Sequence, residues 1–178
     1  VKQGLHVIVS YIIGFPEENK RDIDLTLRSI LEMTLLGAES QVSLLSVLPG
    51  TQLYSKHLDQ LEWDGKTFGM TGSFLSGPVS DLVIKDRRIF SPYYYLPNKN
   101  IPRKDLVFIS NLANLISGFL PTISVLKKYM ERDLENKSIL DLVYEYMPDY
   151  QKDETHPYPE LKFLSESLKM YCNSLVNR

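Results

Sequence analysis

Cysteine is almost missing from this chain: Cys172 stands alone among 178 residues. One thiol excludes an intramolecular disulfide and fits a reducing compartment, and a lone cysteine of this kind is read as structural. Charge of one sign is also scarce. With 20 Lys and Arg against 22 Asp and Glu, the formal net charge is −2. No basic excess exists to neutralise phosphates, which argues against a dedicated nucleic-acid surface. The three histidines, His6, His57 and His156, lie far apart and show no metal-ligand spacing. Behind Val1-Lys2-Gln3-Gly4 the apolar stretch is strand-length and has no small-residue cleavage pattern, so no secretory signal is read. The longest apolar candidate for a membrane span, 106–126, is interrupted by Ser110, Asn111, Asn114, Ser117 and Pro121. Those polar positions recur on one face, which suits an amphipathic soluble helix better. A cytoplasmic location without membrane or nucleic-acid partners is the expectation. An initiator Met is missing too, so a longer parent polypeptide is expected.

What the chain does have is an ordinary globular composition, 43% hydrophobic and 24% charged. Its length allows one domain, or one domain plus a helical appendage. Two apolar runs organise the first fifty residues. Val7-Ile8-Val9-Ser10-Tyr11-Ile12-Ile13 is nearly continuous, which fits a strand buried on both faces, as in a parallel sheet. It ends at Gly14-Phe15-Pro16-Glu17-Glu18. Asn19 is a good N-cap, with Asp22 three positions on as its capping-box acid. A helix over about 20–35 then puts Ile23, Leu27, Ile30 and Leu31 on one stripe, and Gly37 stops it. A second strand is read over 40–48, ahead of Pro49-Gly50-Thr51. Strand, helix and strand make a βαβ unit with parallel strands and a right-handed crossover.

Farther on, 52–61 reads as a short helix. An irregular region follows, rich in Gly, Ser and Thr, to about Pro78. Asp81–Lys85 and Arg88–Phe90 are candidates for a hairpin around Asp86-Arg87, and Ser91–Asn100 is a proline-punctuated connection. From Ile101 the composition turns helical. A helix over about 104–118 presents Leu106, Ile109, Leu112, Ala113 and Ile116, and a second is expected from Pro121 to about Arg132. Ser138 with Asp141 resembles a capping box for a third, and a last helix is expected over about 159–176. The expected organisation is therefore 1–62 α/β, 63–100 irregular with a hairpin, and 101–178 helical.

Ligands of open α/β sheets and β/α barrels gather at the carboxyl ends of parallel strands. Gly14 and Pro49-Gly50 share that edge if the two strands are parallel. A glycine there allows close backbone approach to a ligand; equally, both sites can simply turn the chain out of the sheet. Glu18 is read as stabilising the first helical turn through the helix dipole. Tyr93-Tyr94-Tyr95 has two readings, a loop packed onto the core or a cover over a substrate.

Tyr11-Ile12-Ile13-Gly14-Phe15-Pro16-Glu17-Glu18-Asn19, an amphipathic helix, and then Leu44-Leu45-Ser46-Val47-Leu48-Pro49-Gly50-Thr51-Gln52-Leu53-Tyr54 together resemble a known pattern. It is that of the fifth and sixth β/α segments of the radical SAM barrel. The likeness is to the subset whose members often carry an upstream cobalamin-binding domain, and it covers residues 5 to about 60. Glu17 stands where that family usually has Gly, and Asn19 where it usually has Thr.

The resemblance implies a portion of an incomplete radical SAM-type β/α barrel facing S-adenosylmethionine. Ser10 falls at the polar position suited to the ribose or amino-acid part of the cofactor, and Ile12 at the apolar position flanking adenine. Gly14 lets the backbone come close, and Ser46 lies where backbone groups contact adenine. The intact parent would use S-adenosylmethionine and a 4Fe–4S cluster for radical chemistry on an unknown substrate, with cobalamin as an optional further cofactor. The family's Cys-x-x-x-Cys-x-x-Cys motif is missing, and one cysteine cannot supply three thiolates. The chain alone is therefore expected to bind no cofactor stably and to catalyse nothing. Its implied partners are the remainder of the polypeptide and, through an exposed strand edge, a second copy of itself. The alternative is a non-catalytic α/β-plus-helical interaction module.

Overall fold

A computed structural model describes residues 4–63 and 78–117, together with Ser138, Asp141 and Tyr144. In chain order these form strand β1 (Ile8–Ile13), helix α1 (Lys20–Leu35), strand β2 (Glu39–Leu44) and helix α2 (Gln52–His57) with a 3₁₀ turn, Leu58–Gln60. Helix α3 (Pro78–Lys85), a second 3₁₀ turn (Ser91–Tyr93) and helix α4 (Arg103–Ser117) complete the series. Glu39 N–H donates to Val7 C=O at one end of the sheet and Leu45 N–H to Ile13 C=O at the other, so β1 and β2 run parallel. The expected mixed α/β class is present, as a two-stranded parallel sheet with several helices. The helices expected over about 121–132 and 159–176 lie outside the described residues, as do most of the third and all of 64–77, His156 and Cys172. No helix among the described residues is long and apolar enough to cross a membrane.

Contacts divide the chain into two compact units. The first comprises Val1–Tyr11, Asn19–Val42 and Val107–Arg178, the second Ile12–Glu18 and Ser43–Leu106. In the first, α1 starts where local chemistry says it should. Asn19 is extended, and its side chain accepts the N–H of Arg21 and Asp22, while Asp22 accepts the N–H of Asn19. This reciprocal box satisfies donors that a helix start leaves open, a contribution of about 1 kcal/mol. The buried stripe is Ile23, Leu27, Ile30, Leu31 and Thr34. The helix stops at Gly37 (φ 88°), where Gly37 N–H bonds Thr34 C=O and Ala38 N–H bonds Met33 C=O, a Schellman closure. Tyr11 and Ser29 meet through their hydroxyls at 3.2 Å, tying β1 to α1.

Burial alternates along both strands, which corrects the expectation of a two-sided buried β1. Ile8, Ser10 and Ile12 are exposed and Ile13 is buried; on β2, Ser40 and Val42 are buried while Glu39, Gln41 and Ser43 are exposed. Among the described residues nothing covers the second face, so its apolar side chains meet solvent. β2 also ends at Leu44 rather than Leu48. A ladder needs a partner backbone, and β1 has turned away at Gly14.

Helix α4 buries Leu106, Phe108, Ile109, Leu112 and Ala113. Its polar positions do more than face solvent. Asn114 Oδ1 accepts Val42 N–H at 2.8 Å, and Asn114 Nδ2 donates to Val42 C=O at 2.9 Å. Ser110 Oγ donates to the same carbonyl at 3.3 Å. One side-chain amide thus does what a neighbouring strand would do at that point of β2. Ser138 and Asp141 cap each other reciprocally, as their spacing predicts, and Asp141 also pairs with Lys20, whose ammonium lies 5.5 Å from the Tyr144 ring centroid.

The second unit packs Val47, Leu61, Val83, Tyr94 and Leu96 into a core. Its buried hydroxyls are satisfied by backbone: Ser91 Oγ donates to Val47 C=O at 2.7 Å and Tyr94 Oη to Val83 C=O at 2.9 Å. The expected hairpin over 81–90 is not formed; α3 takes its place. Leu82, Val83 and Ile84 look strand-like, yet Pro78 suits a first helical turn, and only Val83 of the three is buried. Asp86 then makes the turn, accepting the N–H of Arg88 and Ile89. An isolated antiparallel bridge forms instead between Glu62 and Tyr95.

Candidate functional site

β1 and the extended segment after β2 each lead into a turn. At the end of β1, Gly14 is buried and adopts φ 99°, a conformation that side chains bearing Cβ rarely take. A Cβ placed there would meet Leu106 Cδ1 at 3.6 Å, Leu45 N at 3.8 Å and Leu45 Cβ at 3.9 Å. These are ordinary contacts, so the requirement for glycine is torsional rather than steric. The chain then closes a turn from Phe15 to Glu18, with Glu18 N–H donating to Phe15 C=O at 3.1 Å.

Glu18 completes that turn from within. Its Oε2 accepts the N–H of both Gly14 (2.5 Å) and Phe15 (2.9 Å). The carboxylate therefore points back at the strand end, which corrects the assignment of Glu18 to the helix dipole. Two converging N–H donors with a carboxylate make charge-assisted bonds, stronger than neutral ones.

The second turn carries Pro49 and Gly50 between Leu48 and Thr51. Thr51 N–H bonds Leu48 C=O at 3.3 Å and Gly50 has φ 82°, the pattern of a type II turn with Pro second and Gly third. Thr51 caps α2: its Oγ1 accepts Tyr54 N–H at 3.1 Å and donates to Leu48 C=O at 2.8 Å. A Cβ at Gly50 would meet nothing within 4 Å.

The four residues singled out from the sequence occupy distinct positions. Ser10 is exposed on β1. Ile12, two residues later, is 53% exposed, so a large apolar side chain stands open at the strand's end. Gly14 follows it. Ser46 is half-buried in the extended segment after β2, beside Leu45, whose N–H bonds Ile13 C=O at 2.8 Å. That bond brings the 12–14 and 45–46 backbones together. Glu17 is exposed.

Two residues of this edge were not singled out from the sequence. Asn98 and Asn100 donate their side-chain amides to the carbonyls of Phe15, Glu17 and Glu18. Their only sequence mark is Pro97-Asn98-Lys99-Asn100, a turn-rich string whose asparagines readily bond backbone groups. The tyrosine cluster packs its loop: Tyr94 is in the core, and Tyr95 Oη donates to Glu62 while the Arg103 guanidinium lies 4.9 Å from the Tyr95 ring centroid. His6 Nε2 lies 3.0 Å from Glu39 Oε2, and His57 Nδ1 lies 3.0 Å from Gln60 Oε1. Among the described residues, no group of three His, Cys, Asp or Glu could hold a metal ion. No protein-family model, no curated protein and no solved structure matches this chain.

Proposed function

We propose that this chain is the C-terminal part of a cytoplasmic radical SAM enzyme, with β1, α1 and β2 as the last β/α units of its barrel. The reading rests on one observation: β1 leads into a turn with a positive-φ glycine, Gly14, two residues after an exposed Ile12, and the extended segment after the parallel strand β2 leads into a second such turn at Gly50. The motif pair in the sequence has that same order and spacing. At this edge Ile12 offers an apolar surface for a flat base, and the Gly14 backbone allows close approach. Ser46 offers a hydroxyl to the polar part of a nucleoside, a role that the sequence resemblance also gives to Ser10.

S-adenosylmethionine and a 4Fe–4S cluster would supply the radical chemistry in the intact parent. This chain cannot ligate the cluster, because its one cysteine leaves two of three thiolates wanting. Its share is positioning of S-adenosylmethionine and one wall of the substrate site. A non-catalytic interaction module is the second reading, favoured by that same cysteine count.

The reading frame upstream of Val1 separates the two. Cys-x-x-x-Cys-x-x-Cys roughly 150 residues earlier, the length of four β/α units, supports the enzyme. A start codon immediately before Val1 overturns it. Anaerobic iron–sulfur reconstitution of this chain by itself is expected to give no cluster absorbance; a stable cluster would contradict the assignment of ligands to the missing part.

A further inference from the structure

The connection after Leu96 reaches back to the strand-end turn through one side chain. Asn98 Nδ2 donates to Phe15 C=O at 2.6 Å and to Glu18 C=O at 3.0 Å. Asn98 Oδ1 accepts the N–H of Asn100 and of Ile101, both at 2.7 Å. A side-chain amide has two donors and two acceptor lone pairs, so the bonding capacity of Asn98 is fully used. Its partners also define which end is which, since two carbonyls face one atom and two N–H groups the other. Asn100 Nδ2 adds bonds to Glu18 C=O at 3.0 Å and Glu17 C=O at 3.5 Å.

Glu18 links this strap to Gly14. Its carbonyl is held by the two asparagines, and its carboxylate holds the Gly14 and Phe15 amides. Releasing the Glu18 backbone therefore releases the group that orients the strand-end peptide. We infer that Asn98 is a positioning residue for the strand-end site: through Glu18, which holds the Gly14 and Phe15 amides, it fixes the path of the strand-end backbone against which a bound nucleoside would lie. The identity of that ligand rests on the reading proposed above; the strap stands on its own geometry. No common substitute reproduces it. Asp keeps the acceptor but loses both donors and sets a negative charge beside two carbonyls. Gln carries the amide one methylene too far, and Ala removes both functions.

The test uses the 178-residue chain as wild type, Asn98→Asp and Asn98→Ala. Amide exchange is read by NMR at Gly14 and Phe15, with the Leu45 amide and the melting temperature as references. In Asn98→Asp, exchange at Gly14 and Phe15 rises about tenfold, the equivalent of one to two net hydrogen bonds, while the Leu45 amide keeps its wild-type rate and the melting temperature falls only by the few degrees that those bonds account for. Asn98→Ala behaves likewise and also exposes the Asn100 and Ile101 amides. Unchanged exchange at Gly14 and Phe15 overturns the inference. So does a uniform rise at every amide in step with a lower melting temperature, since that marks a merely structural residue.

A second arm titrates S-adenosylmethionine into the same samples and follows the Gly14 amide. A wild-type response that weakens about tenfold in Asn98→Asp, again one to two net bonds, supports both the strap and the functional reading. An equal response in both overturns the positioning role. No response in wild type is the outcome expected of a chain without its cluster; the exchange arm then decides the strap, and the upstream reading frame decides the functional reading.

Discussion

Replacing Gly14 by alanine separates torsion from packing at the strand end. The nearest atom to the new Cβ is Leu106 Cδ1 at 3.6 Å, an ordinary contact, so little steric cost arises. The cost comes from holding alanine at φ 99°, about 1–3 kcal/mol for a residue in a sparsely populated region. Alanine also narrows the unfolded ensemble, which returns about 0.4–1 kcal/mol. The net loss is about 0.5–2 kcal/mol, which lowers the melting temperature by roughly 1–8 °C in a chain of this size. Gly50→Ala is the control, with φ 82° and nothing within 4 Å of its Cβ. Equal losses at the two positions are expected, measured as urea midpoints at constant slope. Gly14→Asn should lose less than Gly14→Ala and Gly14→Val more, following their tolerance of positive φ. A Gly14→Ala chain as stable as wild type would refute the torsional argument. A loss much larger than that of Gly50→Ala would show that packing against Leu45 and Leu106 governs instead.

Asn114→Ala strips Val42 N–H of its acceptor while Ser110 still serves the carbonyl. A loss of about 1–2 kcal/mol is expected, with faster exchange at the Val42 amide in hydrogen-exchange NMR; Asn114→Asp, which retains an acceptor, should recover part of it. The Asp141 pKa lies below its ordinary 3.8, chiefly through the hydrogen bond from Lys20 and with help from Ser138. Stability from this pair is therefore present above the unfolded value and lost as pH falls through the lowered folded one. The gap in stability between wild type and Lys20→Met should be widest at neutral pH and close below about pH 4, as read by urea titrations across pH; a gap independent of pH would refute the linkage.

How much of this was legible depends on the reach of each interaction. The start and stop of α1 were legible because Asn19, Asp22 and Gly37 act over three or four residues. The Ser138–Asp141 cap was legible for the same reason. The segment 81–90 was misread because Leu82-Val83-Ile84 favours a strand locally, while Pro78 and the Asp86 turn select a helix. The open face of β1 was missed since Ile8 and Ile12 look like core residues, and burial depends on what lies over them. Within the candidate site, Gly14 was visible as a strand-end glycine and Gly50 as a turn glycine, whereas the role of Glu18 was assigned to the wrong neighbour. A carboxylate next to a helix start can serve either the helix or the preceding turn, and only the path of the chain decides.

The sequence by itself determined the βαβ order, the helix caps and the two glycine turns, because each is a backbone preference set by neighbours in the chain. Tertiary structure alone decided that Asn114 would serve Val42, 72 residues away, and that Asn98 would hold Phe15, 83 residues away. A side-chain amide has no preference for a particular distant peptide group. It acquires one only when folding brings an otherwise unsatisfied carbonyl or N–H within reach, where leaving it unpaired costs more than ordering the side chain.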